Sequence, residues 1–478
     1  MWTTPTLLKK SHNTPKTIDD MKGRIIISLV AAAALMSSCH IYKSYERPDD
    51  LNLSGLYRDP QSNDTLAGSQ DNFGDVPWRE VFTDPILQNL IEEALQNNAD
   101  IRKAALTVEQ THAALTAARL SYLPSLTLSP TGTIASKNVK NYQLPATASW
   151  QIDLFGQLMN QNRSAKATYQ QTLYYQQAVQ SSIISATANM YFTLLLLDDQ
   201  LETTDQTCEL LKNMVEAMEA MKEAALTNSA AVESTRTSYA QVKASVSDLK
   251  QNIREVENAF SLVLNRAGGT IERGKLVDQQ LPTSFSAGVP LQMLSNRPDV
   301  MASEMNLAAC YYNTNTARAS FYPNITINGQ AGWNNTYGNP AQFLAQAIGS
   351  ITQPLFYRGK LVAALKQAKA AEESAKIDFQ TALLKAGNEV SDALYQYEMN
   401  TERARARTMQ VASAKKAAED TKDLFELGNS TYLEVLTAQQ SYLSAQLAES
   451  SDTFDRMQAV ISLYQALGGG RETEQTNE

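Results

Sequence analysis

The sequence predicts an α+β membrane protein in which long α-helical coiled-coil hairpins accompany four β-strands per chain. It also predicts that this unit is written twice. Three observations carry the reading. "ARLSYLPSLTL" (Ala118–Leu128) returns 199 residues later as "ARASFYPNITI" (Ala317–Ile327). Apolar residues recur every seven positions through long stretches free of proline. Short runs between those stretches alternate strictly between apolar and polar side chains.

The chain has 478 residues, more than one compact core usually holds, so two domains or an elongated body are expected. Its formal net charge of −9 argues against a nucleic-acid partner. Three cysteines (Cys39, Cys208, Cys310) make no disulfide framework, and three scattered histidines, His112 among them, make no metal site. Cys208 and Cys310 fall in helical stretches and read as small packing residues.

The organisation begins with a leader. "MKGRIIISLVAAAALMSSC" starts at Met21 with Lys22 and Arg24, continues through an apolar stretch from Ile25 to Met36, and ends in small residues before Cys39. That pattern is a secretory signal, too short to span a bilayer as a helix. Cys39 stands where bacterial lipoproteins are cleaved and acylated. Residues 1–20 read as an over-long start, 21–38 as the signal peptide and 39–76 as a lipid-anchored N-terminal segment. Residues 77–280 and 281–470 are the two copies, and 471–478 a polar tail.

The repeat reaches upstream, where "ALQNNADI" (Ala94–Ile101) faces "MLSNRPDV" (Met293–Val300). Downstream, Lys166 meets Lys369, after which the offset reads as 201, pairing "SAAVE" (Ser229–Glu233) with "STYLE" (Ser430–Glu434). The order in each copy is helix, two strands, long helix, tight turn, long helix. The strands are legible by alternation. In "YQLPATASWQIDL" (Tyr142–Leu154) Tyr142, Leu144, Ala146, Ala148, Trp150 and Ile152 alternate with Gln143, Pro145, Thr147, Ser149 and Gln151. Ser125–Ile134 and Asn324–Trp333 behave alike, whereas the partner around Phe343–Leu355 is less regular. The helices are legible by a heptad. Tyr239, Val242, Val246, Leu249, Ile253, Val256, Phe260 and Val263 follow the spacing of left-handed supercoils. Gln157–Leu226 would extend about 105 Å as one helix. The tips of the two hairpins are expected at Thr227–Ala231 and Leu427–Thr431.

Beyond the leader no apolar run reaches the 18 or so residues of a membrane helix, so a crossing must be made by a closed barrel. Four strands cannot close a barrel around a channel, and open edges in lipid would cost several kcal/mol per unpaired group. Copies must therefore share one barrel. Dimer, trimer and tetramer all satisfy that requirement.

"PWREVFTDPILQNLIEEALQNNADI" (Pro77–Ile101), "SWQIDLFGQL" (Ser149–Leu158), "NRPDV" (Asn296–Val300), "ARASFYPNITINGQAGW" (Ala317–Trp333) and "LFELGNSTYLEVLTAQ" (Leu424–Gln439) together resemble the TolC-like outer-membrane efflux proteins. The likeness runs from about Cys39 to Gly470 and is greatest to the lipoprotein branch that serves resistance-nodulation-division pumps. It implies a homotrimer with a shared twelve-stranded barrel in outer-membrane lipid. A helical tunnel would continue into the periplasm, loaded by an inner-membrane pump and a periplasmic adaptor. The family carries two acids three residues apart just past the second tip; this chain has Glu434 and Thr437, with Glu233 read as the repeat counterpart of Glu434. A ring of such carboxylates would favour cations. Asn228, Ser229, Gly428, Asn429 and Ser430 at the tips are the implied adaptor-docking residues. No nucleophile elbow, phosphate loop, metal-ligand spacing or cofactor motif appears, which argues against an enzyme. The rival readings are the outer duct of a type I protein secretion system and a structural periplasmic coiled-coil lipoprotein.

Overall fold

The computed structural model describes residues 42–48, 73–135, 139–282, 297–335, 342–354 and 357–471. Two short helices, α1 (Trp78–Val81) and α2 (Pro85–Asn97), lead into α3 (Ala99–Leu120). Strands β1 (Ser125–Leu128), β2 (Thr131–Ala135) and β3 (Val139–Ile152) follow, then α4 (Gln157–Glu223) and α5 (Ser229–Val263). The second copy supplies α6 (Pro298–Ala319), β4 (Asn324–Asn335), β5 (Gln342–Thr352), α7 (Lys360–Glu426) and α8 (Tyr432–Ala466). The helices match in length across the copies, at 22 residues for α3 and α6, 67 for α4 and α7, and 35 for α5 and α8.

The chain divides into two compact units, each drawing on both copies. The first holds Met1–Arg47, Ala114–Lys166 and Ala308–Glu372. Its centre is an antiparallel sheet in which β1 and β2 both pair with β3, β3 with β4, and β4 with β5. The sequence predicts one strand over Ser125–Ile134. Pro130, which lacks a ladder donor, breaks it in two, although the Ser129 amide still donates to the Pro145 carbonyl at 3.1 Å. The sheet therefore has four strand positions and two edges, β1/β2 and β5, that have no partner strand among the described residues. Lys43 and Tyr45 pack on α6. The Tyr45 amide donates to the Tyr312 hydroxyl at 3.1 Å, and the Tyr311 hydroxyl to the Lys43 carbonyl at 3.3 Å. Cys39 and the expected leader lie outside the described residues.

The second unit holds Pro48–Ala113, Ala167–Leu307 and Glu373–Glu478. Its helices bury the heptad stripe as the spacing predicts: Val242, Val246, Ile253 and Phe260 are buried on α5, and Met457, Ile461 and Tyr464 on α8. Charged groups join the helices at a few points. Asp452, buried on α8, accepts from Arg403 at 3.1 Å and from Arg407 at 2.7 Å, both on α7. In the first copy Arg273 reaches Asp198 at 2.5 Å and Glu257 at 2.6 Å.

The backbone corrects the register of the duplication. Left-handed residues pair as Gly156 with Gly359, Ala225 with Gly428, and Asn265 with Gly468, a constant offset of 203. The offset of 201 suggested by "SAAVE" and "STYLE" is a chance similarity of short motifs. The counterpart of Glu434, third residue of α8, is Ala231, third residue of α5, and not Glu233. The first tip accordingly lies at residues 224–228, three positions before the expected turn.

Equivalent positions also do equivalent work. Asn98, just before α3, donates its side-chain amide to the carbonyl of Val263, the last residue of α5, at 2.8 Å. Its counterpart Arg297, just before α6, donates to the carbonyl of Ala466, the last residue of α8, at 2.9 Å. Both side chains satisfy a helix-end carbonyl that would otherwise lack a partner. Burial works against the charge on Arg297, but Asp299 and Glu389 outweigh it and hold its pKa above the ordinary arginine value. Arg297→Ala should lower stability by about 2 kcal/mol and Asn98→Ala by about 1 kcal/mol, read as denaturation midpoints. Equal, negligible losses would show that these carbonyls are served by water instead.

Candidate functional site

The sheet has two chemically distinct faces, and the registers define them. Trp150 opposes Ile327, Ala148 opposes Gly329, Ala146 opposes Ala331 and Leu144 opposes Trp333 on one face. Ser149 opposes Asn328, Thr147 opposes Gln330 and Gln151 opposes Thr326 on the other. This is the division of a membrane barrel strand, apolar to lipid and polar to the lumen. On the apolar face Trp333 and Phe343 meet edge to face at 5.3 Å near one end. Trp150 lies near the other end, its indole donating to the Tyr122 carbonyl at 2.9 Å. Its partner Ile327 is six strand residues from Trp333, about 20 Å along the strand. Two aromatic girdles at such a separation are the interfacial marks of a spanning strand.

The polar face is a lattice of neutral groups. The Ser149 hydroxyl donates to Asn328 at 2.8 Å, Gln346 donates to Gln330 at 3.0 Å, and the Thr326 and Ser350 hydroxyls share a 2.6 Å bond. Leu344 and Ile348 are exceptions. They oppose Gly332 and Asn328 on this face, which explains why alternation in β5 is hard to read from sequence.

The tips belong to the second unit. Each long helix ends in a left-handed turn with paired backbone bonds. The Leu226 amide donates to Met221 and that of Asn429 to Leu424, both at 2.8 Å, while Ala225 and Gly428 donate to Lys222 and Phe425 at 3.0 Å. Both turns are the Schellman C-cap. Gly428, at φ 78°, supplies the left-handed turn residue without a Cβ penalty, whereas in the first copy Ala225 adopts φ 63°. Asn228 caps α5 by accepting the Ala231 amide at 3.0 Å, and Ser229 is the first helical residue. The two hairpins meet here. Tyr432 packs on the buried cluster Leu211, Val242 and Leu436, and also on Met218, Ala231 and Val232.

Glu434 is exposed and completes a capping box on α8. It accepts the Ser430 hydroxyl at 2.6 Å and the Thr431 amide at 2.8 Å, while Thr431 accepts the Glu434 amide. The Ser430 hydroxyl first, and then Thr431, hold its carboxyl pKa below the usual glutamate value. Thr437, one turn along, bonds the Leu433 carbonyl at 2.8 Å. Glu233 on α5 pairs with Arg236 at 3.0 Å, and Arg236 bridges to Glu219 on α4 at 2.5 Å. Among the described residues no hydrogen bond joins Glu233 to Glu434 or Thr437. The helix-end clamps Asn98 and Arg297 and the Asp452 cluster escape sequence reasoning. Asn98 and Arg297 do stand at matching places in "ALQNNADI" and "MLSNRPDV", but neither motif says which carbonyl the side chain holds. Among the described residues no helix is long and apolar enough to cross a membrane.

A sheet with one apolar and one neutral polar face in the first unit, and paired long helical hairpins in the second, define an α+β channel-forming protein of the outer-membrane type. A family model described as outer membrane efflux protein matches residues 90–266 and 289–469. The chain belongs to that family, whose members are channels. It is 27% identical over 456 residues to the cation efflux system protein CusC of Escherichia coli (strain K12), covering 92% of this chain and 98% of that one. It is 27% identical over 427 residues to the probable outer membrane lipoprotein SilC of Salmonella typhimurium, covering 86% and 91% of the two chains. The crystal structure of the open state of the MtrE outer membrane channel of Neisseria gonorrhoeae aligns with a TM-score of 0.79 at 24% identity, covering 90% of this chain and 98% of that one.

Glu434 carries a depressed pKa, so its cap is complete above the ordinary glutamate range and fails as pH falls through the lowered value. Amide exchange at Thr431 should therefore quicken on acidification relative to the intrinsic rate. In Glu434→Gln, where the acceptor does not titrate, the protection should not change with pH. Identical pH profiles would remove the carboxylate from the cap.

Proposed function

We propose that three copies of this chain close one twelve-stranded barrel in the outer membrane and form the exit duct of a tripartite efflux system. An inner-membrane pump and a periplasmic adaptor would deliver the cargo, and Cys39 would carry the acyl anchor. The observation that supports this best is the sheet itself: two edges without a partner strand among the described residues, on a surface with one lipid-type face and one neutral polar face. Sharing the barrel between copies satisfies those edges.

The duct conducts passively. A lumen of hydroxyls and amides offers hydrogen bonds to water and no fixed charge to hold a solute, which suits passage of whatever the pump supplies. Small cations are the favoured cargo, in keeping with the name of CusC, and drugs are the second. The tip residues Asn228, Ser229, Gly428, Asn429 and Ser430 are the proposed adaptor contact.

Glu434 is the proposed cation-selecting charge at the tip end, with Thr437 beside it; Glu233, neutralised by Arg236, contributes less. In planar bilayers the purified protein should open in discrete steps. Glu434→Ala should raise conductance or weaken block by multivalent cations, and Glu233→Ala should change either less. A protein that gives no conductance steps would end the channel reading; unchanged behaviour in Glu434→Ala alone would only remove that residue from the gate.

A further inference from the structure

The charge of this chain is segregated by unit. The whole sequence carries 41 basic and 50 acidic residues, yet Ala114–Lys166 and Ala308–Glu372 of the first unit carry ten basic and two acidic ones. Eight of the ten lie on helix ends or turns next to the strands: Arg119 on α3, Arg163 and Lys166 on α4, Arg318 on α6, Arg358 before α7, and Lys360, Lys366 and Lys369 on α7. Six of them form three pairs between the copies. Arg119 matches Arg318 at the offset of 199, while Arg163 matches Lys366 and Lys166 matches Lys369 at 203. Within each copy the latter two positions are three residues apart, on one helix face.

None of the eight is ion-paired with a carboxylate among the described residues. Arg163 lies over the Tyr312 ring at 5.8 Å with its Nη1 buried and unbonded, Lys360 lies over Tyr357 at 5.3 Å, and Arg318 donates only to the amide of Asn315 at 2.8 Å. In the second unit, where acidic residues are plentiful, Arg266, Arg273, Arg297, Arg403 and Arg407 are held by carboxylates, while cations such as Lys243, Lys250 and Arg405 are not; what sets the first unit apart is the excess of basic over acidic residues. The aromatic girdle formed by Trp150, Tyr122 and the stacked pair Phe155 and Tyr322, at 5.0 Å, marks the membrane interface in the same unit.

We infer that these cations form a belt that binds the phosphate-bearing headgroups of anionic phospholipids in the periplasm-facing leaflet. The inference rests on the barrel reading of the sheet and adds the class of lipid. Charge complementarity supplies the argument. Seven of the eight are exposed and Arg163 is half-buried; beside an interfacial aromatic girdle they lack a counter-charge among the described residues, and a headgroup layer provides one. Duplication in both copies would repeat the belt around a closed barrel.

The test uses the full-length protein in nanodiscs of phosphatidylcholine with and without phosphatidylglycerol, with retained lipid counted by native mass spectrometry. The wild type should retain phosphatidylglycerol over phosphatidylcholine. Lys166→Gln, Lys366→Gln and Lys369→Gln should each weaken that preference by about fivefold. Lys366→Arg and Lys369→Arg should preserve it, which controls for folding. Undiminished preference in the combined glutamine variant would overturn the proposal. So would unchanged lipid retention with a shift in bilayer ion selectivity, because the cations would then line the lumen. Retention of phosphatidylglycerol by a protein without conductance steps would discard the channel reading and leave the belt standing.

Discussion

The constraint on which the rest depends is the hydrogen-bonding demand of a sheet edge in lipid. A backbone amide or carbonyl in the hydrocarbon has no water to turn to, and each unmet group costs several kcal/mol. Among its described residues one chain offers four strand positions and two such edges, so a sheet placed in lipid calls for association between copies. The twin copies reduce the demand by half, because β3 of the first copy and β4 of the second pair with each other along eleven residues. What is left is one seam per chain.

Helix ends pose the same demand in the second unit, and the molecule meets it in parallel ways. The last carbonyls of α5 and α8 are served by Asn98 and Arg297, and the Schellman turns close α4 and α7 with their own backbone. Only the side chains differ between copies. The first copy uses a neutral amide at the clamp and an alanine in the left-handed turn. The second uses a guanidinium and a glycine, and adds the Glu434 capping box. The second copy is thus the one whose terminal contacts depend on charge.

Periodicity made the fold legible, because one-sided burial imposes a period of two on strands and near seven on packed helices. Tyr142–Ile152 and Tyr239–Val263 show those periods plainly. Register was less legible. Five-residue motifs such as "SAAVE" and "STYLE" match too easily by chance, and only backbone geometry at Ala225, Asn265 and their glycine partners fixes the offset. The sequence places the first tip three residues too late because no glycine announces it; Ala225 holds the left-handed position there. At the candidate gate, "TYLE" contains a capping box that sequence alone could have identified, yet the same Glu434 also suits a pore ring. The pairing of Asp452 with Arg403 and Arg407 was out of reach. It joins residues about fifty positions apart, and no local pattern encodes that meeting.

The joint between β3 and β4 has a consequence for how such a wall can be built. It is an antiparallel junction between two half-units that share one ancestry, made inside a polypeptide. The junction each chain still needs with its neighbour is of the same nature. One kind of suture therefore serves for both stitching within the molecule and stitching between molecules, and a ring sealed this way carries twice as many equivalent staves as it has subunits.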